Sequence, residues 1–241
     1  MDEKTNGIVI RAVNYGESDK ILAILTPEGR LSASARGCRK NNAKLKYAGE
    51  LFCMGEFCFT QTKGKRILTA CTPVELFYDL REDIVKLAAA TYMANLIEAA
   101  SEETDSDTDL FVLFITCLKL LVYSDKTVRE VLLLFTLKLA LVCGYRPVLD
   151  RCVVCGREQA TRFSLRNGGV VCGLCTVDGD YEMPKDVALT FSRILDSDLD
   201  ACGEWPFAGG ADAYHVRMMI GYMTEKLGCR PKSLSVLLTL L

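Results

Sequence analysis

Four cysteines in the second half of the chain have the type and spacing of a metal site. Cys152 and Cys155 form one C-x2-C pair, Cys172 and Cys175 form another, and sixteen residues separate the two pairs. That separation lies within the range of about 15 to 20 residues that is typical of four-cysteine zinc sites. Two such pairs can surround one ion tetrahedrally, with Zn–S distances of ~2.3 Å. The sequence therefore predicts one structural Zn²⁺ ion per chain.

The number of sulfur ligands decides what such an ion could do. Four cysteine ligands leave no position for water, so the ion would stabilise the local fold and would not hydrolyse a substrate. An iron–sulfur cluster, a redox dithiol, and four buried cysteines without metal are the alternatives. Gly156 and Gly173 beside the pairs, with an alternating segment around Asn167-Gly168-Gly169, favour a zinc ribbon that contains a small β-hairpin. We assign this zinc-binding insertion to residues 150–177.

Two clusters of cations in the first third of the chain are suited to phosphate contacts. Residues 36–47 include five cations and no acid, and a second cluster occupies residues 63–66. Lysines and arginines in loops favour contacts with a nucleic-acid backbone that do not depend on base sequence. A solvated surface explains the same charges equally well. The candidate DNA-binding residues are Arg36, Arg39, Lys40, Lys44, Lys46, Lys63, Lys65 and Arg66.

Residues suited to catalysis are sparse. His215 is the only histidine, and its helical spacing from Met219 and Tyr222 is more typical of a structural residue than of a general base. The sequence contains no phosphate-binding loop, dinucleotide-binding glycine pattern, nucleophile elbow or histidine-based metal motif. We therefore expect a protein that is not an enzyme.

The elements that must position the N-terminal cations are short strands separated by turns rich in Gly and Pro. The apolar runs are residues 8–13, 20–25, 30–35, 51–61 and 67–73. Five strands in this length fit a small closed barrel such as the OB-fold, whose loops bind oligonucleotides. A flattened five-stranded sheet of another topology is the alternative. Tyr15, Tyr47 and Phe59 are candidates for base stacking, although aromatic residues in small barrels more often belong to the core.

After residue 78 the hydrophobic period changes from that of strands to that of helices. Thr127 followed by Glu130 has the spacing of a capping box, and Gly144 can end the same helix. Beyond the cysteines, residues 186–199 and 213–227 are predicted helices, and the apolar residues 233–241 are expected to dock on the helical core. The predicted fold class is α+β: an N-terminal five-stranded OB-fold barrel, residues 1–78, precedes an α-helical domain, residues 79–241, with the inserted four-cysteine zinc ribbon.

Charge is distributed unevenly along the 241 residues, whose net charge is −2. The first 78 residues carry twelve Lys and Arg against eight Asp and Glu, a balance of +4, which leaves −6 for the remainder. A basic N-terminal part and an acidic C-terminal part indicate different partners. No basic and apolar leader follows Met1, and the apolar runs are too short for a membrane span. We therefore expect a cytoplasmic protein without membrane contacts.

Three N-terminal segments carry a pattern of their own. They are residues 7–22 (GIVIRAVNYGESDKIL), 25–30 (LTPEGR) and 35–40 (ARGCRK). Together with the order of barrel, helical domain and four-cysteine insertion, they resemble the bacterial RecO family of recombination mediators. The resemblance covers essentially the whole chain and is most specific at residues 7–40 and 145–176. The basic loop departs from the family pattern because it lacks a proline and a serine after Lys40.

The resemblance implies a DNA repair and homologous recombination mediator of the RecF pathway, located at the bacterial nucleoid. Such a protein binds single- and double-stranded DNA, anneals complementary strands and, with RecR, helps to load RecA onto DNA coated by single-stranded DNA-binding protein (SSB). RecF and RecA would be further partners. The alternative is a non-catalytic, zinc-containing interaction scaffold whose barrel binds a protein partner rather than DNA.

The resemblance also implies that the helical part binds the acidic, apolar-ended C-terminal tail of SSB, while RecR contacts the barrel. An acidic tail needs cations beside an apolar pocket. The last long helix offers Met218, Met219 and Tyr222 for that pocket, although methionines more often fill a core. The candidate partner-binding residues are Arg217, Lys226, Arg230 and Lys232.

Overall fold

The structure, a computed structural model, describes residues 2–62, 64–101, 108–199 and 211–241, with only the backbone of Asp2. It divides into two compact units, Met1–Ile115 and Thr116–Leu241. The predicted fold class is confirmed, because a closed five-stranded barrel precedes helices and a cluster of four cysteines. In the part of the chain that the structure describes, no helix is long and apolar enough to cross a bilayer.

The barrel strands are β1 (Asp2–Tyr15), β2 (Asp19–Thr26), β3 (Gly29–Ala35), β4 (Met54–Thr62) and β5 (Lys65–Glu75). They close in the order β1-β2-β3-β5-β4, and β4 pairs back with β1. All neighbours are antiparallel except β3 and β5, which run parallel. The closed barrel excludes the flattened sheet that was the alternative.

The first strand is longer than the sequence pattern predicts because it pairs with two neighbours. Residues 2–8 pair with β4, and residues 8–15 pair with β2. Gly7 lies opposite Gly55, and a Cβ atom on Gly55 would lie 2.3 Å from the carbonyl oxygen of Thr72. Glycine at position 55 therefore permits the close approach of β4 and β5.

The barrel encloses an apolar interior. Phe57 and Phe59 are fully buried and stack with ring centroids 6.3 Å apart. Burying each such ring contributes roughly 1.5–3 kcal/mol relative to leaving it exposed. The buried cluster consists of Val9, Leu22, Ile24, Leu31, Ala33, Ala35, Cys38, Ala48, Cys53, Phe57, Phe59, Leu68 and Cys71.

The first helix, α1 (Ile84–Ala100), packs against β1 within the first unit. Asp83 caps its first turn by accepting hydrogen bonds from two backbone N–H groups. Farther along the helix, the Glu98 carboxylate lies 2.6 Å from Arg11 and 3.7 Å from Arg30. These ion pairs connect the helix to two places on the barrel.

The later helices are α2 (Thr108–Tyr123), α3 (Val128–Val142), α4 (Lys185–Asp196), α5 (Ala213–Lys226) and α6 (Ser233–Leu240). Helix α3 packs against α4 and α5. Its predicted capping box is confirmed, because the Thr127 side chain accepts from the Glu130 N–H and Glu130 accepts from the Thr127 N–H. The buried Lys138 donates to the carbonyl groups of Leu195 and Ser197 near the end of α4, which explains a lysine within an apolar helix.

Candidate metal centre and nucleic-acid interface

The four cysteines predicted as metal ligands lie together. Their sulfur atoms are all within 4.8 Å of one another, and the Sγ atoms of Cys155 and Cys172 are 3.6 Å apart. A tetrahedral ion with ligand bonds of ~2.3 Å would separate its sulfurs by about 3.8 Å. The cluster therefore fits a metal held by four sulfurs, and it is the one candidate metal cluster among the described residues.

Each cysteine pair occupies a tight backbone turn. The carbonyl oxygen of Cys152 accepts from the Gly156 N–H at 2.8 Å, and that of Cys172 accepts from the Cys175 N–H at 2.9 Å. Gly156 has a φ angle of 77°, which glycine adopts at little cost. Gly173 has no positive φ angle and open space where a side chain would lie. Of the two glycines predicted to shape the turns, Gly156 alone has a backbone conformation that requires glycine.

The surroundings of the sulfurs favour ionised thiolates at two positions. Burial opposes ionisation of Cys152, but backbone hydrogen bonds, the strongest at Cys172, outweigh burial and lower its pKa to about 6. A backbone hydrogen bond at Leu174 lowers the pKa of Cys172. A hydrogen bond with Cys155 raises the pKa of Cys175 to about 12. Because thiolates are the metal-binding form, a bound cation would displace the proton that Cys175 retains.

The predicted hairpin joins the two cysteine pairs, and one strand that the sequence pattern missed follows the second pair. Strands β6 (Arg162–Ser164) and β7 (Gly169–Val171) are antiparallel, and β8 (Tyr181–Glu182) pairs with the other edge of β6. A Cβ atom on Gly169 would lie 2.6 Å from the carbonyl oxygen of Val148, so glycine permits this close contact. Strand β8 has two residues, too few to show an alternating pattern.

The ribbon is held against α5. Phe163 packs edge-on against Tyr222 with ring centroids 5.5 Å apart, and the Tyr222 hydroxyl donates to the Tyr145 carbonyl at 2.8 Å. Burial raises the pKa of Tyr222 to about 12, so this hydroxyl remains a donor at neutral pH. Lys226 donates to the carbonyl oxygen of Arg166 at 3.2 Å. Disturbing the ribbon would therefore also disturb α5.

The basic loop, residues 36–46, leaves the end of β3 and is anchored on the turn between β1 and β2. The Asp19 carboxylate accepts from the Gly37 N–H at 2.7 Å. The Arg39 N–H donates to the Ser18 carbonyl at 2.9 Å, and the Arg39 guanidinium donates to the Gly16 carbonyl at 3.1 Å. Five predicted DNA-binding residues are exposed on this loop: Arg36, Arg39, Lys40, Lys44 and Lys46.

The basic loop is built from consecutive turns rather than from freely extended chain. The Lys40, Ala43 and Lys46 N–H groups each donate to the carbonyl three residues earlier, at 3.1, 3.0 and 3.4 Å. The series leads into a short 3-10 helix, Tyr47–Gly49. Such pre-ordering reduces the conformational entropy that the loop would lose on binding a ligand.

The second predicted cluster contributes fewer free cations than the sequence suggests. Lys65 is exposed, but the Arg66 side chain lies 2.9 Å from the Glu3 carboxylate. Lys63 lies outside the described residues. Ala33 of β3 pairs with Arg66 of β5, and the basic loop begins three residues farther along β3. At ~3.3 Å per residue, the two clusters are separated by roughly 10 Å along the strands.

The three aromatic candidates for base stacking occupy different environments. Phe59 is fully buried in the barrel. Tyr47 is half-buried and donates its hydroxyl to the Cys71 carbonyl at 2.7 Å. Tyr15, in contrast, is 63% exposed beside the turn that anchors the basic loop. Of these three rings, Tyr15 alone is available to a ligand.

Two of the four predicted partner-binding cations line one groove. A cavity of about 680 Å³ between α5 and α6 includes Arg217 and Arg230 together with the apolar side chains of α6. Lys226 is engaged with the ribbon, and Lys232 is exposed outside the lining. The methionines belong to the core instead. The groove's apolar residues are Ile220, Leu234 and Leu238, while Met218 and Met219 are fully buried.

Comparison with known protein families covers both units. Residues 1–77 match the model described as Recombination protein O N terminal, and residues 81–235 match Recombination protein O C terminal. The chain belongs to the RecO family. It is 33% identical to the DNA repair protein RecO of Symbiobacterium thermophilum over 243 residues, which cover 98% of this chain and 96% of that protein. RecO membership supports a role in DNA repair and recombination.

Two further RecO proteins are similar over shorter stretches. The DNA repair protein RecO of Pelotomaculum thermopropionicum is 38% identical over 176 residues, covering 71% of this chain and 68% of the relative. That of Bacillus pumilus is 33% identical over 188 residues, covering 77% and 73%.

Some residues that shape the sites of this RecO-family chain carry no signal in the sequence. Asp19 holds the basic loop, yet an acid at the start of a strand predicts no such contact.

The sequence predicts a structural role for His215. Its Nδ1 atom lies 2.9 Å from Asp212, and its ring is edge-on to Phe191 and Tyr214. Asp212 also caps α5, so this histidine belongs to a helix start.

Proposed function

We propose that this RecO-family chain is a recombination mediator of the RecF pathway whose barrel binds single- and double-stranded DNA. The observation that carries the proposal is the basic loop, residues 36–46, which presents five exposed cations on anchored turns of a closed OB-fold barrel. Phosphate contacts from such a loop do not depend on base sequence, which suits a protein that must act on any damaged DNA.

On this proposal the chain works by binding and not by covalent catalysis. Cations that neutralise phosphates allow two complementary strands to approach each other, which supports annealing. RecR would contact the barrel, and together the two proteins would help to load RecA onto SSB-coated DNA, with RecF as a further partner. The protein would act in the bacterial cytoplasm, at the nucleoid.

We infer that the ion held by Cys152, Cys155, Cys172 and Cys175 is Zn²⁺. Four thiolates in a tetrahedral arrangement suit zinc, and the ribbon hairpin between the pairs is typical of structural zinc sites. When bound, the ion supplies local folding energy. The groove between α5 and α6 is the proposed site for the SSB tail, because it combines two arginines with apolar side chains.

The basic loop can be tested by replacing Arg39, Lys40, Lys44 and Lys46 together with alanine. Single-stranded DNA affinity should fall, and the slope of log K against log salt should flatten by about 3, since each lost phosphate contact removes roughly 0.7. Fluorescence anisotropy over a series of salt concentrations measures both quantities.

A charge-matched control separates loop contacts from a general loss of positive charge. Alanine at the exposed Lys119, Lys185, Arg193 and Lys232 changes the net charge equally and should leave the slope close to that of the wild type. Unchanged affinity in the loop variant would assign the loop to solvent or to a protein partner, and would favour the interaction scaffold over the DNA-binding protein.

A further inference from the structure

The turn between β1 and β2 presents an aromatic ring to solvent. Tyr15 is 63% exposed, and Val13, two residues earlier and therefore on the same strand face, is 45% exposed. Across the described ranges, the Tyr15 side chain has no ring, cation or hydrogen-bonding partner. The ring therefore contributes little to the packing of the barrel and is free to contact a ligand.

The same contacts that anchor the basic loop also fix this turn. The Arg39 guanidinium binds the carbonyl of Gly16, the residue that follows Tyr15, and the Arg39 N–H binds the carbonyl of Ser18. Asp19 lies opposite Tyr15 in the strand register and holds the Gly37 N–H. The end of β1 that carries the ring is thus held to the loop that carries the cations.

That combination fits one ligand chemistry better than others. An aromatic face stacks on a nucleobase of any sequence, while nearby cations bind the adjacent phosphates. In a duplex the base faces are covered by their neighbours in the stack, so an exposed ring can stack only on an unpaired base. A purely anionic ligand would use the cations and leave the ring without a contact.

We propose that Tyr15 stacks on an unpaired base of single-stranded DNA while the basic loop holds the neighbouring phosphates. This inference rests on the proposed DNA binding by the barrel, and it adds the strand form that is preferred and the side chain responsible. The basic loop contributes to binding of both strand forms, whereas Tyr15 contributes only to binding of single strands.

The experiment compares three DNA probes by anisotropy: an oligo-dT strand, an abasic strand of equal length, and a duplex. Tyr15→Ala should weaken oligo-dT binding roughly tenfold, within the range known for one base–aromatic stack, and leave binding to the other two probes unchanged. Tyr15→Phe keeps the ring and should bind oligo-dT like the wild type. Glu17→Gln, on the same exposed turn, should not weaken any probe.

The outcomes separate this inference from the proposed function. If the four-alanine loop variant loses affinity while Tyr15→Ala binds oligo-dT like the wild type, the stacking contact is refuted and DNA binding by the loop stands. Equal losses by Tyr15→Ala on the oligo-dT and abasic strands would show a distorted turn rather than a lost stack, and would also refute it. A wild-type chain that binds none of the probes would refute both proposals.

Discussion

The thiols of the cysteine cluster differ because backbone hydrogen bonds reach some sulfurs and a neighbouring thiol reaches another. Burial works against the thiolate of Cys152, yet backbone hydrogen bonds bring its pKa to about 6. Cys175, hydrogen-bonded to Cys155, has a pKa raised to about 12. A cation that replaces the shared proton lets all four sulfurs ionise together, so each cysteine should matter for metal retention.

Replacing a single cysteine ligand tests whether all four cysteines are needed to retain the metal. Protein purified without added metal should contain close to one zinc per chain, and Cys155→Ser should lose most of it because three thiolates do not complete the shell. Elemental analysis measures the metal content. Cys229→Ser removes a thiol outside the cluster and should retain the ion. Iron, or no metal in reduced wild-type protein, would contradict the zinc assignment.

At the scale of elements, the cations of helix α5 contact two different neighbours. Lys226 turns toward the ribbon, where it donates to the Arg166 carbonyl and lies 5.4 Å from the centre of the Tyr222 ring. Arg217 faces the other way, toward α6, and donates to the Leu238 carbonyl at 2.9 Å. Arg217 and Arg230 lie in the groove beside α6. One helix thus supports the ribbon on one side and lines the groove on the other.

If the groove is the site for the SSB tail, as proposed, this division predicts which cations contact the tail. Arg217→Ala combined with Arg230→Ala should weaken binding of a labelled tail peptide by more than tenfold, because each arginine would form a charge-assisted hydrogen bond with an acidic side chain of the tail. Lys226→Ala combined with Lys232→Ala should bind like the wild type, although both variants lose two charges. Titration at two salt concentrations checks the electrostatic contribution. Equal binding by wild type and the arginine variant would remove the groove from the site.

At the scale of the whole molecule, the metal ligands and the basic loop belong to different compact units. The cysteines lie within Thr116–Leu241, whereas the basic loop lies within Met1–Ile115. The contacts of the ribbon described above, through Phe163 and Lys226, also remain within the second unit. The stability that a bound ion would supply should therefore remain largely local.

Removing the metal tests whether its stabilising effect is confined to the second unit. Chelation under reducing conditions should increase hydrogen exchange in residues 148–182 and in α5, because the loosened ribbon no longer holds Tyr222. Exchange in the barrel strands and affinity for oligo-dT should change little. Hydrogen exchange measured by mass spectrometry resolves the two units. A comparable increase throughout the barrel would show that the ion stabilises the entire chain.

Local patterns in the sequence were sufficient to predict the cysteine cluster, the barrel strands and one helix start. The spacing of Cys152, Cys155, Cys172 and Cys175 predicted their cluster, because a metal site needs ligands in pairs on tight turns. Short apolar runs separated by turn residues predicted five barrel strands, and Thr127 with Glu130 predicted a helix start that the hydrogen bonds confirm. In each case the cause lies within a few neighbouring residues or in a repeated period.

Tertiary structure alone decided which of these side chains remain available. Arg66 is paired with Glu3 from the first strand, and Lys226 is turned to the ribbon, although both look free in the sequence. Tyr15 and Phe59 are both aromatic residues of strands, yet the barrel buries Phe59 and leaves Tyr15 exposed. Such differences depend on partners far away in the chain and on how strands close, and no local period carries that information.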